Sequence, residues 1–333
     1  QSQAQAQAQE KAKARAEKQR LYNETGKRIQ GAQSGLVILD RDAMNKTAES
    51  AAQHHQIFPV SLHKTLTDLI ANNRAPSAKE TSSVGRELAE AYINAVKHLL
   101  NVAFSQDPAL STRSILAIGN HGQTVFHSPP ISVQLDDGQH IANQTGICVV
   151  NQFRQADLEL GGQGAPLVPA FHRHVFAQEK KDLAVLNIGG IANLTLLIAE
   201  GTTGGFDTGP GNTLMDVWIK KHQGKSCDME GAWERSGKVH RELLSIMQQD
   251  FWLNKAPPKS TGREHFNLIW LEQMLSKTDR QIQPEDVQAT LCELTASSIA
   301  SALHTQAPET TELIVCGGGV HNTLLMERLR ALL

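Results

Sequence analysis

Leu183-Ala184-Val185-Leu186-Asn187-Ile188-Gly189-Gly190-Ile191-Ala192-Asn193-Leu194-Thr195-Leu196-Leu197-Ile198 is the stretch that decides the fold class. Two apolar runs, Leu183 to Ile188 and Leu194 to Ile198, flank a link from Gly189 to Asn193. Apolar runs of this length bounded by glycine read as strands, and the short link makes them a hairpin. Working outward, Leu36-Val37-Ile38-Leu39, Ile115-Leu116-Ala117-Ile118, Ile147-Cys148-Val149-Val150 and Leu313-Ile314-Val315-Cys316 are further short apolar strands. Helical patterns lie between them. Leu88, Ala89, Tyr92, Ala95, Val96, Leu99 and Leu100 recur at helical spacing, which predicts an amphipathic helix over roughly Ser83 to Val102. Others are predicted over Leu214 to Lys221, over Gln288 to Leu303, and from an Asn322 cap to Leu332. Strands alternating with helices, plus one hairpin, predict an α/β fold with a mixed sheet.

The 333 residues suffice for two domains of ordinary size, and 40% hydrophobic residues supports a packed globular chain. A net charge of −2 speaks against nucleic-acid binding, which shows as a basic excess. The four cysteines, Cys148, Cys227, Cys292 and Cys316, are not spaced as metal-ligand pairs. Cys148 and Cys316 sit in apolar runs and read as buried thiols in a reducing compartment. No apolar run reaches the ~18 residues of a membrane span. The N-terminus is polar throughout, without a signal-peptide pattern. A cytoplasmic protein is expected.

Gln1 to about Gln30 alternates Gln with Ala and Ser, then turns to Lys, Arg, Glu and Ala. Good helix formers without an apolar face predict a low-complexity arm, helical or disordered. The expected organisation is this arm at 1–30, an incomplete first α/β domain at 31–145, and a second at 146–333 carrying the nucleotide loops.

Three glycine-rich segments carry the chemistry: Gly161 to Pro169, Asn187 to Asn193 and Gly205 to Asn212. Glycines beside apolar runs are costly unless backbone must approach something closely. Asp207 is the acid inside these segments, and a carboxylate held by rigid turns suits a general base. An aspartate bonding its own turn amides is the plainer reading. Gly189-Gly190 and Gly317-Gly318-Gly319 are candidates to turn backbone N–H groups toward an anion. Neither is a Gly-x-x-x-x-Gly-Lys-Ser/Thr loop, which disfavours a P-loop fold. His121, Gln123 and Thr124 form a polar cluster after a strand, suited to a sugar or amide ligand. Arg154 is placed to fork onto a carboxylate or phosphate, or to pair with Asp157. Lys259 to Glu264 is a polar loop read either as a phosphate contact or as a helix N-terminus capped by Ser260 or Thr261. His172 and His174 do not share a helix face, which disfavours metal binding.

Taken together, Gly119 to Thr124, Phe153 to Asp157 with Gly161 to Pro169, Asn187 to Asn193, Gly205 to Asn212, Pro258 to Glu264, Asp286 to Leu291 and Val315 to Gly319 with Asn322 resemble the anhydro-N-acetylmuramic acid kinase family. The resemblance runs from about Pro59 to Leu333. It implies the two-domain actin-like, sugar-kinase fold, related to ribonuclease H, with ATP in a central cleft. It implies ATP- and Mg2+-dependent opening of 1,6-anhydro-N-acetylmuramic acid, a recycled peptidoglycan fragment, with phosphorylation of O6 to give N-acetylmuramic acid 6-phosphate. Asp207 would then activate the attacking water. His121, Gln123, Thr124 and Arg154 would bind the amino sugar. Gly189, Gly190, Gly209, Gly211, Asn212, Gly317, Gly318, Gly319 and Asn322 would bind the nucleotide. A homodimer suits the fold.

The family's N-terminal strand and Gly-Thr-Ser-x-Asp-Gly type phosphate loop have no match here, Gly31 to Asp40 being the candidate remnant. Family members also continue beyond the position of Leu333. The alternative reading is therefore a degenerate, non-catalytic member that binds sugar or a partner. A kinase for another sugar on the same fold is a third.

Overall fold

The computed structural model describes residues 31–39, 48–72, 74–178, 180–262, 265–279 and 281–333. The arm expected at 1–30 lies outside the described residues. Those up to Leu167 form one compact unit and those from Val168 a second. The sequence places the boundary at 145/146 instead. The following segment stays with the first unit because its strand pairs there and Asn151 donates to Asp136 Oδ2 at 2.7 Å.

The first unit opens with an antiparallel ribbon, β1 (Gly31–Leu39) against β2 (Ala48–Ile57). Helices α1 (Val60–Ala71) and α2 (Ala78–Gln106) follow. The second begins five residues before the predicted Ser83, because its polar first turn is held by a capping box rather than by apolar contacts. Ser77 Oγ accepts from the Glu80 amide, and the Ser77 amide donates to Glu80 Oε2 at 2.7 Å. Its inner face, with Val84, Leu88 and Ala95, meets Leu62 and Leu66 of α1 and Val125 and Leu135. The last two come from a hairpin that periodicity does not announce, β4 (Gln123–Ser128) with β5 (Ile131–Leu135).

Before the hairpin comes β3 (Ile118–Gly119). After it come α3 (Gly138–Thr145), β6 (Val149–Val150) and α4 (Gln155–Glu159). β3 and β6 pair in parallel over two residues each, much shorter than the predicted strands. The apolar runs around them are only partly core: Ile147 is buried, but Leu116 is 80% exposed. Cys148 is likewise exposed, contrary to the buried-thiol expectation, whereas Cys292 and Cys316 are buried.

The second unit holds α5 (Pro169–Phe176), β7 (Leu183–Ile188), β8 (Ile191–Leu197), β9 (Gly204–Pro210), α6 (Thr213–Gln223), α7 (Arg241–Gln248), α8 (Leu268–Leu275), α9 (Pro284–Gln306), β10 (Glu312–Cys316) and α10 (Thr323–Leu332). Its sheet runs β10-β7-β8-β9. β10 is parallel to β7 and the other pairs are antiparallel, so the sheet is mixed as predicted. β7 is buried on both faces, which explains its unbroken apolar run. Ala184, Leu186 and Ile188 join the large core with Leu214, Phe266, Leu291 and Leu294 from the helical layer. Leu183 and Val185 face the opposite way, against Phe176 of α5 and Ile314. α9 begins with proline at its first turn and is buried nearly all round, as a central packing helix must be.

The link between the strands is just Gly189-Gly190, because Ile191 already pairs with Pro210, and Ala192 and Asn193 pair with β7. Gly205 to Pro210 is likewise no loop: it is β9, the sheet's edge strand, where Pro210 costs no ladder bond on the outer side.

Leu194 is fully buried in the larger core, so Leu194→Ala is expected to cost about 2–5 kcal/mol. A urea unfolding curve should show a lower midpoint with unchanged slope.

Candidate active site

In the second unit, parallel strands β10 and β7 end side by side, Cys316 opposite Asn187, and their continuations meet at this edge. The Gly189 carbonyl accepts from the Asn212 amide at 2.8 Å. The Gly190 carbonyl accepts from Gly211 at 2.9 Å and Thr213 at 3.1 Å. The first amides of α6 are thus tied to the hairpin turn. Thr295 of α9 donates to the Pro210 and Gly211 carbonyls at 3.0 and 3.1 Å. Gly211 lies so close to the Gly189 carbonyl that a side chain would collide with it. Gly317 adopts φ +86°, and a Cβ there would sit 2.5 Å from Asn187 Oδ1 and 2.7 Å from the Ile188 carbonyl. Gly319 presses on Ile188, while Gly318 opens a short turn through His321. The glycines are therefore required first by the approach of the loops to one another. Asn322 caps α10 as predicted, accepting from the Leu325 amide at 3.0 Å.

Asp207 lies within β9 and is 7% exposed. A bulge aims it. Ala192 pairs with Gly209 but Asn193 pairs with Asp207, leaving Thr208 as the extra residue, its hydroxyl on the Ala192 carbonyl at 3.2 Å. Gly209 leaves room for Leu253, whose methyl would lie 2.9 Å from a Cβ there. The Asp207 amide donates to the Lys259 carbonyl at 3.1 Å, and Asp207 Oδ2 accepts from the Thr261 amide at 2.8 Å. Across the strand pair, Asn193 Oδ1 is buried and has no hydrogen-bond partner among the described residues. A buried acceptor of this kind suits a donor brought by a ligand or water.

The loop at 257–262 is not a helix start, the next helix being capped by Asn267. Lys259 is 5% exposed, its ammonium turned onto backbone carbonyls. Arg263 and Glu264 of the same motif lie outside the described residues. Sequence reasoning read Lys259 only as a loop cation and did not single out the Asn193 side chain. An inward-turned ammonium and an orphaned amide oxygen are set by three-dimensional packing, so no residue pattern marks them.

In the first unit, the structure joins His121 to Arg154. The guanidinium donates to His121 Nε2 at 3.2 and 3.3 Å and to the Gly164 carbonyl at 2.9 Å. Asp157, the alternative partner, accepts instead from the Gly164 amide at 2.7 Å. His121 Nδ1 meets the Gly122 carbonyl at 3.0 Å. Nδ1 as donor leaves Nε2 as acceptor, the neutral tautomer the guanidinium requires. His121 has an exposed edge, yet desolvation first and the Arg154 charge second hold its pKa below the usual value. Thr124 Oγ1 lies 3.4 Å from Gln134 Nε2, and Gln123 Nε2 donates to the Thr124 carbonyl at 3.2 Å. Asp136 accepts from Asn120 at 3.2 Å and Asn151 at 2.7 Å, anchoring the loop that carries His121.

A buried acid stands behind Asn322. Glu234 is fully buried and neither carboxyl oxygen has a hydrogen-bond partner among the described residues. Burial pushes its pKa up to about 7. Asn322 and the Cys292 thiol lie alongside and moderate the rise, without completing hydrogen-bond geometry.

The family model for anhydro-N-acetylmuramic acid kinase matches residues 25–333. The chain belongs to the anhydro-N-acetylmuramic acid kinase family. The match begins well before Pro59, so the β1–β2 ribbon falls inside the family region. The anhydro-N-acetylmuramic acid kinase of Saccharophagus degradans is 47% identical over 265 residues, covering 77% of this chain and 70% of that protein. The kinase of the same name from Xylella fastidiosa is 41% identical over 309 residues, covering 92% and 79%. Among solved structures, component A of the Acidaminococcus fermentans (R)-2-hydroxyglutaryl-CoA dehydratase covers 90% of this chain and 84% of its own. Its TM-score is 0.43 at 10% identity.

Two outcomes are expected. Gly317→Ala forces a left-handed conformation and a clash with the end of β7, and should destabilise the second unit by roughly 1–3 kcal/mol in chemical denaturation. Glu234 has a folded pKa raised above its ordinary 4.5. Its contribution to stability is therefore full below about 4.5 and lost as pH rises through about 7. Glu234→Gln should flatten that fall, making the variant roughly 3 kcal/mol more stable than the parent at pH 8 relative to pH 4, measured by urea midpoints.

Proposed function

We propose that this chain opens the anhydro bridge of 1,6-anhydro-N-acetylmuramic acid with water and phosphorylates O6, giving N-acetylmuramic acid 6-phosphate in the cytoplasm. The observation that carries the proposal is the setting of Asp207: a nearly buried carboxylate on a β-bulge, fixed by a backbone amide, opposite an orphaned amide oxygen. Family membership supplies the substrate class.

The Asp207 carboxylate takes a proton from the water that adds to the anomeric carbon. The bond from that carbon to O6 breaks, and O6 becomes the phosphoryl acceptor. Removing a proton with a positioned base is worth roughly 10²–10⁴ in rate. Arg154 and Thr124 hold the sugar, with His121 orienting the guanidinium and Gln123 bracing the strand beside Thr124. The Gly189-Gly190 turn, Gly209, Gly211-Asn212 and Gly317 to Gly319 with Asn322 form the nucleotide side, where the lack of side chains lets backbone approach phosphates. When bound, ATP supplies the phosphoryl group, and magnesium carried on its phosphates neutralises charge. The described residues hold no group of three or more His, Cys, Asp or Glu able to seat a metal.

The test is ADP release with Mg-ATP and the anhydro sugar. Asp207→Asn should lower sugar-dependent turnover about 10²–10⁴-fold with an unchanged thermal melt. Arg154→Ala should lower kcat/KM roughly tenfold or more, as expected for a lost charge-assisted contact. Sugar-independent ADP release, or full activity in the Asp207 variant, would refute the assignment.

A further inference from the structure

Asp207 owes its setting to the loop at 257–262. Residues 257–262 contribute no helix or strand, yet this loop supplies the Lys259 carbonyl and the Thr261 amide that bracket Asp207. The attachment of the loop runs through two side chains. Lys259 Nζ donates to the Leu253 carbonyl at 2.9 Å and approaches the Trp252 carbonyl at 3.4 Å. The same ammonium stands 4.4 Å from the centroid of the Trp252 ring. In return, Trp252 Nε1 donates to the Ser260 carbonyl at 3.2 Å.

The anchor is itself seated. The Trp252 amide donates to Asp250 Oδ1 at 2.9 Å, and Asp250 Oδ2 accepts from Trp270 Nε1 at 2.9 Å. Leu253 fills the space left by Gly209, two residues from Asp207 on the same strand. Lys259 thus joins the loop that clamps Asp207 to a turn resting on the strand that carries it.

We propose that Lys259 is a positioning residue for the reaction. Its buried ammonium, held on the 252–253 carbonyls and over the Trp252 ring, fixes the Thr261 amide on Asp207 and so sets the carboxylate for proton transfer. This inference rests on the reading of Asp207 as the base. The chemistry asks for a cation: a neutral chain of the same length could fill the space but would leave the Leu253 carbonyl without its donor, the Trp252 carbonyl keeping only the Lys255 amide at 3.2 Å. Desolvation lowers the Lys259 pKa, opposed by the Asp207 charge, consistent with an ammonium withdrawn from water. A misplacement of about 1 Å at a reacting group costs on the order of 10²-fold in rate.

The experiment compares Lys259→Met, Lys259→Arg and Trp252→Phe in the full chain. Hydrogen exchange of the Thr261 amide is followed by NMR, and kcat and KM for the sugar are measured in the ADP-release assay. Lys259→Met should speed Thr261 exchange tenfold or more and lower kcat on the order of 10²-fold, with sugar KM within about threefold. Lys259→Arg should restore both readouts, and Trp252→Phe, which removes the indole donor and weakens the ring contact with the ammonium, should move both part of the way. An unchanged Thr261 amide in Lys259→Met overturns the inference. So does a loss of kcat that arginine does not rescue, or one matched by an equal rise in KM. If Lys259→Met does not fold, the Trp252→Phe readouts decide alone. If the wild-type protein shows no sugar-dependent turnover, the reading of Asp207 has failed, and Thr261 exchange still decides whether Lys259 holds the clamp.

Discussion

The bonds from the Gly189 and Gly190 carbonyls to the amides of Gly211, Asn212 and Thr213 are the constraint on which the second unit depends. They join the β7–β8 turn to the start of α6, and so fix where β9 must end and where the helical layer must begin. Every other feature of that edge follows from how little room the joint leaves. Gly211 cannot carry a side chain, Gly317 must turn left-handed over Asn187, and Gly319 must rest on Ile188. Thr295 of α9 closes the joint from the core side by satisfying the Pro210 and Gly211 carbonyls. Backbone packed this tightly cannot be loosened one residue at a time.

Asp207 profits from the same economy of space. A regular edge strand would alternate its side chains between the two faces of the sheet. The bulge at Thr208 breaks that alternation and re-aims the carboxylate, while the loop at Lys259 to Thr261 occupies the outer hydrogen-bonding edge of β9 at that point. The site is therefore built from an irregularity in a sheet and an irregular loop laid against it. In the first unit the same logic appears with side chains. His121 and Arg154, far apart in the chain, fix one another through a neutral imidazole, and Asp136 steadies the loop beneath them.

The two apolar runs around Gly189-Gly190 were legible because β7 is buried on both faces and is apolar at every position but Asn187. The long helices were legible for the same reason: burial writes a period into the sequence. The hairpin of Gln123 to Leu135 was not, since its strands mix polar and apolar residues and are only partly buried. Apolar runs at Ile115 and Ile147 misled in the opposite direction, being only marginally paired and exposed at Leu116 and Cys148. Glycine content misled at β9, where an edge strand tolerates Gly and Pro that an inner strand would not. Asp207 could be singled out from its surrounding glycines, but the clamp around it could not, because it is made from backbone groups that every residue type possesses.

The loop over β9 also has a consequence outside the reaction. An edge strand with open amides and carbonyls is a template for pairing with another chain, and proteins cover such edges to stay dispersed. Here the Lys259 carbonyl takes the Asp207 amide, and the loop lies where a foreign strand would otherwise dock. The segment that orients a carboxylate therefore also shields the sheet from aggregation, so resistance to self-association and the geometry of the site are bound to the same few residues.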